Sequence, residues 1–203
     1  MQSLDFAIAT VLTVLMILGA YQIYLFPQRR LYFRERNLQT TVDDWIPFRP
    51  GWVWIYACAY YPFIVSLVII ADSWERYVYM AFSFAMLLLL HLSIAVLVPV
   101  RTPREWREWK SNGTVGEKFL RFIQSVDKGG NCFPSMHVAV AMLAGLHITG
   151  YLVETGSAAA YVVWIVPLAI AASTVFTKQH YILDVPAGAV LALIPYGIYL
   201  RFL

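Results

Sequence analysis

Six apolar stretches, each long enough to cross a bilayer, constrain this chain more than any other feature. They run at about 4–26, 52–71, 77–100, 136–153, 158–176 and 181–203. The hydrocarbon layer offers no water to backbone groups, so each stretch must close its own hydrogen bonds as a helix. Composition agrees: 60% of the 203 residues are hydrophobic and 13% are charged, too few charges to clothe a soluble domain. The first stretch has neither a basic leader region nor a small-residue cleavage site. It is also too long for a signal peptide's apolar core, so it is read as a retained helix. No internal repeat or linker divides residues 1–203. The expected fold is all-α: one domain, polytopic in the membrane, with six transmembrane helices and an active site at one membrane face.

Six crossings put both termini on one side and three connections, 27–51, 101–134 and 177–180, on the other. That second side carries Arg29, Arg30, Arg34, Arg36, Arg49, Arg101, Arg104, Arg107, Lys110, Lys118, Arg121, Lys128 and Lys178, against Arg76 and Arg201 opposite. The positive-inside rule assigns such a face to the cytoplasm. Charge recruited for an anionic substrate or anionic lipid would leave the side open. In the longest connection, Phe119, Leu120 and Ile123 share one helical face among Trp106, Trp109 and basic residues. That pattern suits either a helix lying in the headgroup region or a loop packed on the bundle. The run from Asp43 to Pro50 leads into the second span and is placed at the rim of the same face.

Three constellations return to this face. The third span ends in Pro99-Val100-Arg101-Thr102-Pro103-Arg104, the fourth opens with Pro134-Ser135-Met136-His137, and the sixth opens with His180-Tyr181-Ile182-Leu183-Asp184. Ionisable groups at a membrane boundary are costly, which makes them functional candidates. His180 and Asp184 are four apart, and on a helix would share a face, with the carboxylate holding one imidazole nitrogen. The other nitrogen is then free as a nucleophile or metal ligand. The start of the fourth span supplies the Ser135 hydroxyl and the positive end of a helix, which suit a phosphate. Arg101 and Arg104 add bidentate cationic donors at the same depth.

These residues resemble the type 2 phosphatidic acid phosphatase superfamily, membrane phosphatases and phosphotransferases related to vanadium haloperoxidases, whose motifs are K-x6-R-P, P-S-G-H and S-R-x5-H-x3-D. Pro134-Ser135-Met136-His137 matches the second with Met136 in place of glycine, and Ser173, His180 and Asp184 match the third at its spacing. Thr174 stands where that motif has arginine, with Lys178 the nearest cation. Ile94 and Leu97 stand where the first motif would place its lysine. Pro99-x-Arg101 is similar to the variant of the inositol phosphorylceramide synthase-like branch. The resemblance implies a phosphohistidine on His180 oriented by Asp184, with His137 as acid and then base. Arg101, Arg104, Ser135 and Lys178 would bind the phosphate, with no metal or cofactor. It implies a lipid phosphate or phospholipid as partner among membrane lipids, no nucleic acid, and an integral multi-pass protein of a bacterial inner (plasma) membrane. Oligomeric state is silent in the sequence.

Three readings stand beside a lipid phosphate phosphatase. A phosphotransferase would use the same residues with a lipid hydroxyl, such as that of ceramide or diacylglycerol, in place of water. A transporter or structural protein would keep the fold without activity. Two histidines and an aspartate would also make a facial triad for a metal. His91 and His147, deep in the third and fourth spans, could belong to a proton path, but are expected to make interhelical hydrogen bonds. Asp127 and Asn131 are expected to shape the loop before Pro134. Cys58 and Cys132 are too few for a disulfide framework or a zinc cluster. Pro195 is expected to kink the last helix.

Overall fold

The computed structural model describes residues 3–30 and 36–202, without the side chains of 27–30. Arg34 and the side chains of Arg29 and Arg30 therefore lie outside the described residues. Among the described residues there is no strand, only isolated bridges between loops. The helices are α1 (Ser3–Arg30), α2 (Thr41–Trp45), α3 (Tyr60–Val65), α4 (Leu67–Ile70), α5 (Trp74–Leu97), α6 (Val115–Val126), α7 (Met136–Glu154), α8 (Ala159–Val162), α9 (Ile165–Phe176) and α10 (Asp184–Tyr199).

Among the described residues, five segments are long and apolar enough to cross a membrane: Ser3–Phe26, Pro50–Ile70, Trp74–Leu97, Met136–Glu154 and Ala159–Phe176. The sixth expected span is shorter. Its helix, α10, has 16 residues, about 24 Å at 1.5 Å per residue against a hydrocarbon core of about 30 Å. The shortfall lies at both ends, where helix begins at Asp184 and not at Tyr181 and stops at Tyr199.

Prolines explain two irregular spans. Pro62 has no N–H to offer Cys58, and the stretch before it widens into a π-helical turn at Trp54–Ala59 before α3 resumes. Pro167 likewise cannot donate to Val163, where α8 gives way to α9. Pro195 lies buried inside α10, which runs through it.

α7 is the hub, packed against α10, α9, α5, α3, α4 and α8. Its small residues let neighbours approach closely. A Cβ on Gly188 of α10 would meet the Ser135 carbonyl oxygen at 2.5 Å, and one on Gly145 would meet Pro167 at 3.0 Å. On the side away from the loops, Arg76 of α5 ties to Glu154 of α7 at 2.9 Å. His147 takes up the expected interhelical role, with Nε2 2.9 Å from the Ser83 hydroxyl of α5. α1 is nearly all lipid-facing, as its exposed Leu4, Val11, Leu15 and Leu18 show.

The loops on the other side are packed rather than loose. α6 starts in a Thr114–Glu117 capping box and buries Leu120, while Phe119 stacks on Trp54 at 5.2 Å. Arg121 covers Trp109 at 4.9 Å and donates to its carbonyl. Of the two expectations for this segment, packing on the bundle describes these contacts, with Phe122 and Val115 left exposed. The first loop is pinned by Asp43, which is 1% exposed. One carboxylate oxygen accepts from the Ile182 N–H at 2.7 Å, and the other accepts from the backbone N–H and hydroxyl of Thr40. The loop thereby holds the turn that precedes α10.

Two outcomes test this packing by thermal unfolding in detergent. Gly188→Ala is expected to cost about 1–3 kcal/mol through the clash with the Ser135 carbonyl, whereas Gly197→Ala on the same helix meets open space and is expected to be neutral or stabilising. Asp43→Asn is expected to cost nearly as much as Asp43→Ala, about 1–3 kcal/mol. Both Asp43 oxygens accept, and an amide would set a donor against a donor.

Candidate active site

The site forms where the chain after α5, the segment before α7 and the turn before α10 meet. Backbone pairing sets the first of these contacts. Arg36 and Val100 bridge in parallel, and Arg101 and Gly130 bridge antiparallel. The Cys132 N–H donates to the Val100 carbonyl at 3.4 Å, and the Thr102 N–H donates to the Gly129 carbonyl at 3.1 Å. Asp127 and Asn131 shape this segment as expected. Asp127 accepts from the Gly129 N–H, and Asn131 donates to the Tyr24 carbonyl. Asn131 has φ 59°, a left-handed conformation that asparagine tolerates better than most residues.

The outcome is that the Cys132 carbonyl points at His180. Its oxygen lies 2.8 Å from Nδ1, and Asp184 Oδ2 lies 3.1 Å from the same nitrogen. A carbonyl only accepts, so Nδ1 carries the proton and Nε2 keeps its lone pair. Asp184 Oδ2 also takes the Tyr181 N–H at 3.0 Å. His180 and Asp184 thus meet in a tight turn, not on one face of a helix as their spacing alone suggests. Helix begins only at Asp184. The turn hangs from the end of α9, where the Thr174 carbonyl accepts the N–H groups of both Gln179 and His180.

His137 lies in the first turn of α7, its ring 6.2 Å from that of His180 between centroids. Tyr56 stacks on His137 at 4.1 Å, and Tyr60 lies at 4.6 Å. These tyrosines come from the π-helical turn and the start of α3, so Pro62's local distortion sets one wall of the site.

The four candidates for phosphate fare differently. Ser135 caps α7: its hydroxyl accepts from the Val138 N–H, and its own N–H donates to the Asp184 carbonyl at 3.1 Å, joining the two helix starts. Lys178 is held in a left-handed turn with φ 55°, its ammonium on the Asp43 carbonyl and 4.8 Å from the centre of Trp106. Burial lowers its pKa, with Asp43 and Asp44 opposing. Arg101 is half-buried and reaches the Lys128 carbonyl at 3.5 Å. Arg104 is exposed on a short 3-10 turn, Arg104–Trp106, with no side-chain hydrogen bond among the described residues. Thr174, at the position of the motif arginine, is fully buried and returns its hydroxyl to the Ala171 carbonyl.

Two participants escaped the sequence reading. Arg107 donates to the Asp127 carbonyl at 2.6 Å, to the Thr102 hydroxyl and to the Gln179 side chain, clasping the long loop to the residue before His180. Burial lowers the pKa of its guanidinium. The Cys132 carbonyl carries no residue-type signal at all. His91 is fully buried, and its ring forms no hydrogen bond to a side chain of a neighbouring helix, in place of the expected interhelical bond. Its ring lies 5.6 Å from that of Tyr24. Among the described residues no three His, Cys, Asp or Glu side chains group as metal ligands. The Asp184 oxygen nearest His180 is turned to that ring.

The arrangement offers a buried imidazole with one nitrogen committed and one free, a second imidazole opposite, and a helix N-terminus beside them. No curated protein and no solved structure is significantly similar to the chain. A family model described as the PAP2 superfamily matches residues 21–198, a stretch that contains every element of this site. The chain belongs to the PAP2 superfamily, a family of phosphatases and phosphotransferases that act on lipid phosphates.

Proposed function

We propose that the protein hydrolyses a lipid or isoprenoid phosphate monoester through a phosphohistidine on His180. The observation that carries this reading is the Nδ1–H of His180 held at 2.8 Å by the Cys132 carbonyl. It leaves Nε2 as the free, basic nitrogen that a nucleophile requires. Asp184 shares that proton and would stabilise the positive charge that develops on the ring.

In the first step Nε2 attacks phosphorus, the P–O bond to the lipid breaks, and His137 gives its proton to the departing alkoxide. In the second, His137 takes a proton from water, the oxygen attacks the phosphohistidine, and the N–P bond breaks to release phosphate. Phosphoryl transfer asks mainly for positioning and for charge around the equatorial oxygens. Arg101 and Arg104, at the end of the third span, would supply that charge. The Ser135 hydroxyl has its proton left to donate, and Lys178 acts by holding the Asp43 loop over the turn. In a transferase the second step is the same, with a lipid hydroxyl in place of water.

The test uses purified protein with ³²P-labelled lipid phosphates, with and without diacylglycerol or ceramide, in buffer containing a chelator. Free phosphate as the product supports the phosphatase, and label in a new lipid supports transfer to a lipid hydroxyl. Activity that appears only with an added divalent ion would overturn the metal-independent scheme. An inert wild-type protein would favour a transport or structural role. His180→Ala is expected to abolish both turnover and labelling of the protein, and His137→Ala to slow both steps, with any label on the protein acid-labile and base-stable. Asp184→Asn is expected to lose only about 10–100-fold, the usual loss on removing an orienting partner, because the Cys132 carbonyl still fixes the proton on Nδ1.

A further inference from the structure

A cavity of about 390 Å³ lies between α1, residues 60–68, α5 and the start of α7, with His137 in its wall. It follows α1 from Thr13 to Tyr24, about 16 Å along the axis at 1.5 Å per residue. That is roughly half the hydrocarbon thickness of a bilayer. Met16, Met80 and Met136 line it, adaptable side chains that fit irregular apolar shapes.

The cavity's walls are overwhelmingly apolar. The Thr13 hydroxyl donates to the Ala9 carbonyl at 2.8 Å, and the Tyr77 hydroxyl lies 3.2 Å from the same carbonyl and 3.1 Å from Thr13 Oγ1. A cavity so lined has little to hold water and accepts hydrocarbon. A volume of 390 Å³ spread over about 16 Å gives a mean cross-section of roughly 24 Å². Carbons pack at about 4 Å, so the space is about the width of one chain.

We propose that this cavity binds a single hydrocarbon chain of the lipid alcohol, with the alcohol oxygen at His137. The proposal rests on the reading of His137 as the group that exchanges a proton with that oxygen. When the P–O bond breaks, the oxygen keeps the bonding pair and takes the His137 proton, so the carbon chain attached to it must start beside that ring. The cavity is where such a chain runs. An extended chain of 1.52 Å bonds advances about 1.3 Å per carbon, so the cavity matches about a dozen carbons. In a transfer reaction the leaving alcohol vacates the same cavity before the acceptor alcohol enters, which predicts ping-pong kinetics.

The experiment has two arms. In the first, n-alkyl phosphates from butyl to hexadecyl are compared in wild-type protein and in Ala81→Phe, which narrows the α5 wall of the cavity. The wild-type kcat/KM is expected to rise by up to about fourfold per methylene, then level off near a dozen carbons. In Ala81→Phe the levelling-off is expected several carbons earlier. A rise without a break, or a break unmoved by Ala81→Phe, overturns the proposal.

The second arm needs no turnover. Dodecanol bearing a terminal diazirine is photolysed with wild-type protein and with His180→Ala, and the labelled peptides are mapped. Label on α1 and α5 around Thr13, Met16 and Met80 in both supports the cavity as the chain site, and label confined to other segments overturns it. If the label falls there while wild type releases no phosphate from any substrate, the chain site stands and the phosphatase reading falls.

Discussion

The hydrogen bond from His180 Nδ1 to the Cys132 carbonyl is the contact on which the site turns. It joins two segments forty-eight positions apart and converts an ambidentate imidazole into one with a single available nitrogen. Everything around it serves to hold one partner or the other. The chain after α5 pins Cys132 through Val100, Asn131 adopts its left-handed turn, and Arg107 clasps the loop that carries both. On the other side, the Thr174 carbonyl, Asp184 and Asp43 fix the turn that bears His180.

That logic accounts for an odd distribution of buried polar groups. Asp43, Ser135, Ser173, Thr174, Thr177, His180 and Asp184 are nearly or fully buried at one end of an otherwise apolar bundle. Burying so many polar groups is tolerable because nearly every one finds a partner, Asp184 through Oδ2 alone. Most of these bonds go to backbone groups of the irregular segments between helices. Non-helical backbone at membrane depth is allowed where protein covers it. The short α10 and the turn before it are an instance, and they give the polar chemistry a place at the boundary.

The span pattern, the motif residues and the crowding of charge on one face were legible in the sequence, because bilayer thickness and hydrocarbon solvation act on composition alone. The loop roles of Asp127 and Asn131 were legible too, since those residue types favour turns. Less was legible where one atom's partner decides its role. Lys178 and Thr174 read as alternatives for a missing cation. In the fold, Lys178 is spent on the Asp43 carbonyl and Thr174 on its own helix. Arg107 was one arginine among many until its donors were seen on the Asp127 and Gln179 oxygens. His91 looked like ordinary interhelical glue and is a buried imidazole packed near Tyr24.

By itself the sequence determined the solvent of this protein, its all-α architecture and the two histidines and carboxylate that gather at one face. Those follow from apolar run length and from the cost of placing charge at a membrane boundary. The tertiary structure decided which nitrogen of His180 is free, what walls His137, and where an apolar chain can lie beside it. A main-chain carbonyl has no residue type, a π-helical turn has no fixed spacing, and a cavity is the space that packed helices fail to fill.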